Sequence, residues 1–298
     1  MPPHTGREFD LIDWIRTQQR PGPGVILPAG DDLAILQTTP GDLLLVGIDQ
    51  VLDGIHFDSA VHSPRDIGKK AMNRNLSDCA AMACLPFAAV ASFALRRGTT
   101  RDYAQELYAG MKDAADIYGC AIVGGDTGAW NQPLAISVAI LGRSAGIEPV
   151  RRSGGQVGDA IYVTGPLGGS ILGRHMSFAP RVNEARMLTG QYRINAMIDL
   201  SDGLSGDLAH LCRESGVGAV LDADAIPIHP DVQRLPASDS SPLQHALEDG
   251  EDYELCFTAE PGVVGCYSIG RLVAEPGIWV EKNGTRESLK PRGFRHEF

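Results

Sequence analysis

No apolar run in this 298-residue chain approaches the ~18 residues that a membrane-spanning helix needs, and Met1 to Phe9 holds no apolar segment of the kind found in secretory leaders. Neither a membrane span nor a signal peptide is expected. Basic residues are scarce: 26 Lys and Arg against 37 Asp and Glu leave a net charge of −11. That balance argues against nucleic acid or an anionic membrane as partner, because both require a basic surface. The six cysteines, Cys79, Cys84, Cys120, Cys212, Cys256 and Cys266, include no Cys-x-x-Cys pair. Most lie in apolar runs, so they read as reduced, buried thiols of a cytoplasmic protein and not as zinc ligands or a disulfide framework. The chain has no Gly-x-x-x-x-Gly-Lys-Ser/Thr phosphate loop, no protein-kinase signature set, no Gly-x-Ser-x-Gly elbow and no His-Glu-x-x-His pair.

What remains is an ordinary globular mixture, 43% hydrophobic and 21% charged, long enough for two domains with real cores. Glu8 to Gln18 has the spacing of a short amphipathic helix. Leu43 to Ile48 reads as a strand that ends in Asp49. Ser63-Pro64 opens a long helix running to about Cys84, with Pro64 as its first residue. Phe87 to Leu95 is a strand, Asp102 to Tyr118 a helix with Leu107, Met111, Ala114 and Ala115 on its core face. Cys120 to Val123 is a short apolar strand, ended by Gly124 and Gly125, and Leu134 to Leu141 another. Gly142 to Gly158, rich in Gly, Arg and Ser, is the best domain boundary. Beyond it come strands at Ala160 to Thr164 and Ala219 to Leu221, a helix from about Leu204 to Glu214, and a short strand near Val280. Several strands adjoin without an intervening helix, which favours an α+β fold over a doubly wound parallel sheet.

One pattern recurs: an apolar run or small-residue segment, then an aspartate. It places Asp32, Asp49, Asp78, Asp126, Asp199 and Asp202 at element ends or among small residues. Each alone also fits a turn or a cap. Gathered in space they would repel one another unless cations neutralised them, and magnesium takes one or two carboxylates per ion together with phosphate oxygens. The glycines before Asp126 carry no Cβ, so a phosphate can approach their backbone. Arg152 suits a bidentate phosphate contact. An acidic protein that handles phosphates must recruit metal, so magnesium dependence is expected.

These residues, in order, resemble the thiamine-monophosphate kinase family: Asp31-Asp32 after Gly30, Asp49 with Gly54-Ile-His-Phe57, Asn75-Leu-Ser-Asp78, Gly124-Gly-Asp-Thr127, Arg152-Ser-Gly154, Asp199-Leu-Ser-Asp-Gly203, Gly250-Glu-Asp-Tyr-Glu254 and an aromatic after Gly293. The parent superfamily includes aminoimidazole ribonucleotide synthetase. The resemblance implies an N-terminal α/β domain over residues 1–145, binding ATP and metal and pairing its sheet with a second copy in a homodimer. It implies a C-terminal α+β domain over residues 146–298. It implies transfer of the ATP γ-phosphoryl group to thiamine monophosphate. By that resemblance Asp32, Asp49, Asp78, Asp126, Asp199 and Asp202 hold Mg2+, and Tyr108, Gly125, Asp126, Arg152 and Ser201 contact ATP. His56, Glu251 and Phe294 contact thiamine monophosphate, and Asp126, Asp202 and Arg152 carry the catalytic load.

Two departures stand out. The family usually carries hydroxyl residues just before the aspartate that is Asp49 here, where this chain has Gly47 and Ile48, so a metal ligand is expected to be missing. The tail reads Gly293-Phe-Arg-His-Glu-Phe298, one residue longer than the family's usual ending. Two alternatives stay open: another ATP-dependent member of the superfamily, and a nucleotide-binding relative without catalysis.

Overall fold

The computed structural model describes residues 25–28, 31–39, 41–236 and 240–293. The helix expected over Glu8 to Gln18, Gly30 and the tail aromatic Phe294 lie outside them. The fold is α+β with two sheets. The first has six strands in the order β1 (Val25–Leu27), β2 (Ala34–Thr39), β3 (Asp42–Leu52), β6 (Ala135–Arg143), β4 (Leu85–Arg96) and β5 (Ala121–Trp130). Every pairing is antiparallel except β4 with β5.

Helix α1 (Pro64–Ala81) packs on one face of this sheet, against β3 and β6. Its start is well specified. Ser63 accepts a hydrogen bond from the Asp66 amide, and Pro64 fills the first helical position, where an N–H would go unused. Helix α2 (Arg101–Ile117) lies against α1. The two cross closely because Gly68 and Gly110 face each other's backbones: an added Cβ would come within 2.0 Å of the Leu107 carbonyl oxygen or 1.9 Å of that of Arg65. Ile35, Leu45, Ile136, Val138 and Ile140 fill the core beneath α1.

The opposite face of the first sheet carries no helix among the described residues. Ile48 is 68% exposed there, and Val90 and Gln50 line the same side.

The second sheet has seven strands in the order β13 (Thr285–Leu289), β12 (Ile278–Lys282), β9 (Gly218–Asp222), β11 (Tyr267–Val273), β7 (Ala160–Val163), β10 (Leu255–Ala259) and β8 (Ile194–Asp199). Helices α3 (Arg174–Ser177) and α4 (Val182–Gln191) pack against α1, so the two halves share one continuous core in which Val182, Ala185, Leu188 and Phe257 join the side chains around α1. Helix α5 (Leu204–Ser215) covers β8 and β9 from a second core, with α6 (Pro242–Glu248) beside it.

Two strands run further than their apolar stretches imply. β3 does not end at Asp49 but continues to Leu52, because Val51 returns to the buried face two residues on. Nor do Gly124 and Gly125 end a strand: β5 runs through them to Trp130, at the sheet edge, paired with β4 alone. Gly125 is required there, since a Cβ would lie 1.9 Å from the Ala91 carbonyl oxygen.

Candidate functional site

Helix α1 organises the site. Lys70, Arg74 and Asp78 repeat at i, i+4 and i+8 and so form one polar row on a helix that is largely buried from Ile67 onward. At the C-terminal end of the row, Asp78 meets Asp32, just before β2, and Asp199, the last residue of β8. All three present a carboxylate oxygen within 4.8 Å of the others. Ser77 donates to Asp199 at 2.5 Å. Burial pushes the Asp199 carboxyl up to about 7, with Asp32 adding to the rise and Ser77 opposing it. Burial, then Asp49, Asp199 and Asp32, push Asp78 well above the usual carboxylate range. Burial and Asp32 also bring Asp31 up to about 7. Such crowding is relieved by shared protons or by a cation, and an all-oxygen set of three carboxylates suits a hard divalent ion such as magnesium.

Two arginines already neutralise part of this charge. Arg152 grips Asp32 with Nε at 3.1 Å and Nη2 at 2.7 Å, while its backbone amide donates to Asp31 at 3.0 Å. Arg74 donates to Asp49 at 2.8 Å. Asp32, Asp49, Asp78, Asp199 and Arg152, assembled from both halves of the chain, thus converge on one place.

The Asp199–Gly203 loop continues the site. Ser201 accepts the Glu251 amide through its backbone carbonyl at 2.7 Å. The amides of Asp202 and Gly203 both donate to the buried carboxylate of Asp207, each at 3.1 Å. Asp207 is pushed well above its ordinary range by burial, then by Asp202 and Asp199. No sequence motif singles it out; it is one polar residue in the first turn of an amphipathic helix. Gly293, the residue before Phe294, lies against this loop, where a Cβ would meet the Asp202 carbonyl oxygen at 2.5 Å.

At the other end of the α1 row, Lys70 donates to the carbonyl of His56 at 2.6 Å and to both carboxylate oxygens of Glu251, at 2.7 and 2.9 Å. His56 is a packed histidine through one nitrogen, Nδ1, which accepts the Leu52 amide at 3.1 Å. Sequence reasoning missed Lys70 and Arg74, although polar residues at i, i+4 on a buried helix were the signal available.

Asp126, Gly125 and Tyr108 are not brought to this cluster within one chain. The register Asp49–Val138–Ala91–Gly125 runs straight across four strands, and Gln50–Ser137–Ser92–Asp126 is the next row. Asp49 faces Arg74 on the helix side; Gln50 bonds Ser137 on the open side, so Asp126 also faces the open side. Tyr108 is 43% exposed on α2. The same alternation corrects the reading of the Gly47–Ile48 pair. Ile48 points to the open face, away from Asp49, so a hydroxyl in its place would not reach that carboxylate's partners in the same chain. Gly47 is on the Asp49 face, where an added Cβ would come within 2.3 Å of the Leu33 side chain.

Residues 30–144 match the family described as AIR synthase related protein, N-terminal domain, and residues 177–268 match its C-terminal domain. The thiamine-monophosphate kinase of Rhodopirellula baltica is 37% identical over 309 residues, covering 97% of this chain and 97% of that one. The chain belongs to the thiamine-monophosphate kinase family of AIR synthase related proteins. The solved structure of AaThiL complexed with AMPPCP and TMP is similar to it at a TM-score of 0.86 and 28% identity, covering 98% of this chain and 97% of that one. The thiamine-monophosphate kinase from Stenotrophomonas maltophilia K279a is similar at a TM-score of 0.72 and 30% identity, covering 94% and 98% of the two chains. Among the described residues, no helix is long and apolar enough to cross a membrane.

Proposed function

We propose that this chain transfers the γ-phosphoryl group of ATP to thiamine monophosphate, giving thiamine diphosphate and ADP. The observation that carries the reading is the convergence of Asp32, Asp78 and Asp199, supplied by three separate elements, beside a bidentate Arg152. Family membership supplies the substrate.

The chemistry asks little of side chains as bases. The attacking group is a phosphate oxygen, already deprotonated near neutral pH, so catalysis reduces to aligning two anions and neutralising their repulsion. Asp32, Asp78 and Asp199 would hold magnesium, with Asp49 and Asp202 at the margins of the cluster. Bound there, magnesium supplies charge neutralisation on the phosphate oxygens. Arg152 and Ser201 serve ATP. Arg152 has a fork that matches a phosphate as well as it matches Asp32. His56, Glu251 and Phe294 serve the acceptor.

The open face of the first sheet, with Ile48 and Val90 exposed on it, supports a homodimer in which this face meets a second copy. Asp126, on that face, then completes the site of the other protomer, and Gly125 and Tyr108 serve ATP. Reduced cysteines and the acidic surface support a cytoplasmic setting.

The deciding experiment is a coupled ADP-release assay with thiamine monophosphate, thiamine and aminoimidazole precursors as competing acceptors. Turnover with thiamine monophosphate alone is expected. Preference for an aminoimidazole precursor would move the chain to another branch of the superfamily, and nucleotide binding without turnover would make it a non-catalytic relative.

A further inference from the structure

We propose that Lys70 is a positioning residue for the acceptor side of the site, holding His56 and Glu251 in one geometry across the junction of the two halves. The inference rests on the kinase reading above for the identity of the acceptor, but its geometry is independent of that reading.

Lys70 has no exposed side-chain surface. A buried ammonium is costly unless its donors are matched. Here the N–H groups are taken up by the His56 carbonyl and the two oxygens of Glu251. The cost is visible in the lysine itself, which burial pulls down to about 8 in spite of the carboxylate beside it. A helix that needed only packing here would be served by a methionine or leucine.

The partner loop is the second observation. Gly250, Glu251 and Tyr253 all have positive φ, at 74°, 52° and 52°. Left-handed backbone at two residues with side chains is strained, so surrounding contacts must enforce it. Ser170 donates to the Gly250 carbonyl at 2.8 Å, Asp252 is held by the Gly168 amide and Arg174, and further contacts hold Glu251 and Tyr253 themselves. The Glu251 amide reaches the Ser201 carbonyl at 2.7 Å, the Tyr253 amide reaches that of Leu200 at 2.9 Å, Tyr253 stacks on Phe178 at 3.8 Å, and Lys70 clamps the Glu251 carboxylate. Arg74 stands 3.8 Å from the same carboxylate, so Glu251 faces two cations from one helix. Glu251 is therefore not a lone counter-charge awaiting a cationic substrate. It is a charge-compensated group whose position Lys70 sets. Because the 250–253 loop lies directly on Leu200 to Asp202, Lys70 also ties the acceptor side to the aspartate loop.

The test compares wild type with Lys70→Met, which keeps the apolar stem and removes the charge, and with Glu251→Gln, which breaks the same pair from the other side and carries the test should Lys70→Met fail to fold. Steady-state kinetics with thiamine monophosphate and ATP is one readout. The acceptor KM is expected to rise at least tenfold in each variant, with the ATP KM within about twofold, and the double variant no worse than the poorer single one. The other readout is hydrogen exchange in the ligand-free protein: the amides of Glu251 and Tyr253 are expected to exchange at least tenfold faster, and those of β8 to stay unchanged. Unchanged exchange at these two amides would overturn the proposal, as would a lowered melting temperature with both KM values intact. If wild type fails to turn over thiamine monophosphate, the kinase reading fails, and the exchange experiment still decides the role of Lys70.

Discussion

Asp49 and Asp126 stand three strands apart in the first sheet and point to opposite faces of it. At the ordinary spacing between strands this puts their strands about 14 Å apart. A single ion cannot bridge that distance, so an ion served by both aspartates would need a second copy of the chain. The open face offers a place for that copy, and its most exposed apolar residue on β3 is Ile48.

Replacing Ile48 with aspartate puts a charge at the centre of that face. Ile48→Asp is expected to keep the fold, since the residue has no part in the core beneath α1, and to shift the protein to a 31.8 kDa monomer in light scattering. Wild type at micromolar concentration is expected at twice that mass. A wild-type monomer across that range would remove the dimer and, with it, any role for Asp126 in a partner's site.

Stability should depend on pH in a way set by the aspartate cluster. The folded state raises the carboxyls of Asp31 and Asp199 from an ordinary 3.8 to about 7, and Asp78 well above its ordinary range. The folded state thus binds more protons than the unfolded one in that window. The contribution of these groups is fully present below pH 3.8 and is lost as pH rises through 7. Asp252, bonded to Gly168 and Arg174, has the same sign and sits apart from the cluster. Added magnesium should relieve the cluster and leave Asp252 untouched. Scanning calorimetry is expected to give a larger magnesium-induced rise in Tm at pH 8 than at pH 5.5. Equal increments at the two pH values would mean the cluster does not hold the ion.

The sequence made the aspartates legible because each follows a local signature of small or apolar residues. Asp199 ends β8, and Asp78 immediately precedes the Cys79–Cys84 small-residue segment, on a helix whose cap, Ser63, and first residue, Pro64, are unambiguous. Strand lengths were less legible. β5 continues through two glycines because an edge strand with one neighbour tolerates residues that contribute no packing, and no local rule announces that. Lys70 and Arg74 were not legible as functional residues, since a lysine and an arginine in a helix usually face solvent. What buries them is the second half of the chain, more than a hundred residues away. The opposed directions of Ile48 and Asp49 follow from strand alternation, but only once the strand is known to run through both.

Asp207 is expected to support the Asp199–Gly203 loop through two amide bonds. Asp207→Ala leaves the Asp202 and Gly203 amides without their acceptor and should cost about 1–3 kcal/mol in urea unfolding. It should also raise the magnesium concentration needed for half-maximal rate several-fold. Asp207→Asn keeps an oxygen at the same place and is expected to stay near wild type in both measurements. A loss with asparagine as large as with alanine would show that the negative charge, and not the acceptor, is what the loop uses.

The partition of one site between two chains can be tested without any structure. Asp126→Asn alone is expected to fold and to be nearly inactive, as removal of one electrostatic stabiliser typically costs ~3–4 kcal/mol in the transition state. Asp199→Asn should be inactive for the same reason. Neither result says whether the two aspartates act in the same chain. Mixing does. In a heterodimer of the two variants, the chain with Asp126→Asn keeps its own Asp199, and its partner supplies an intact Asp126. One of the two sites is then wild type if the residues act across the interface. With equal amounts and random exchange, half the dimers are mixed, so the mixture should recover about a quarter of the wild-type rate. If the aspartates served one site within a single chain, every site in every dimer would lack one of them, and the mixture would stay as inactive as its components. Adding Ile48→Asp to both variants provides the control: with the interface disrupted, the recovery should vanish.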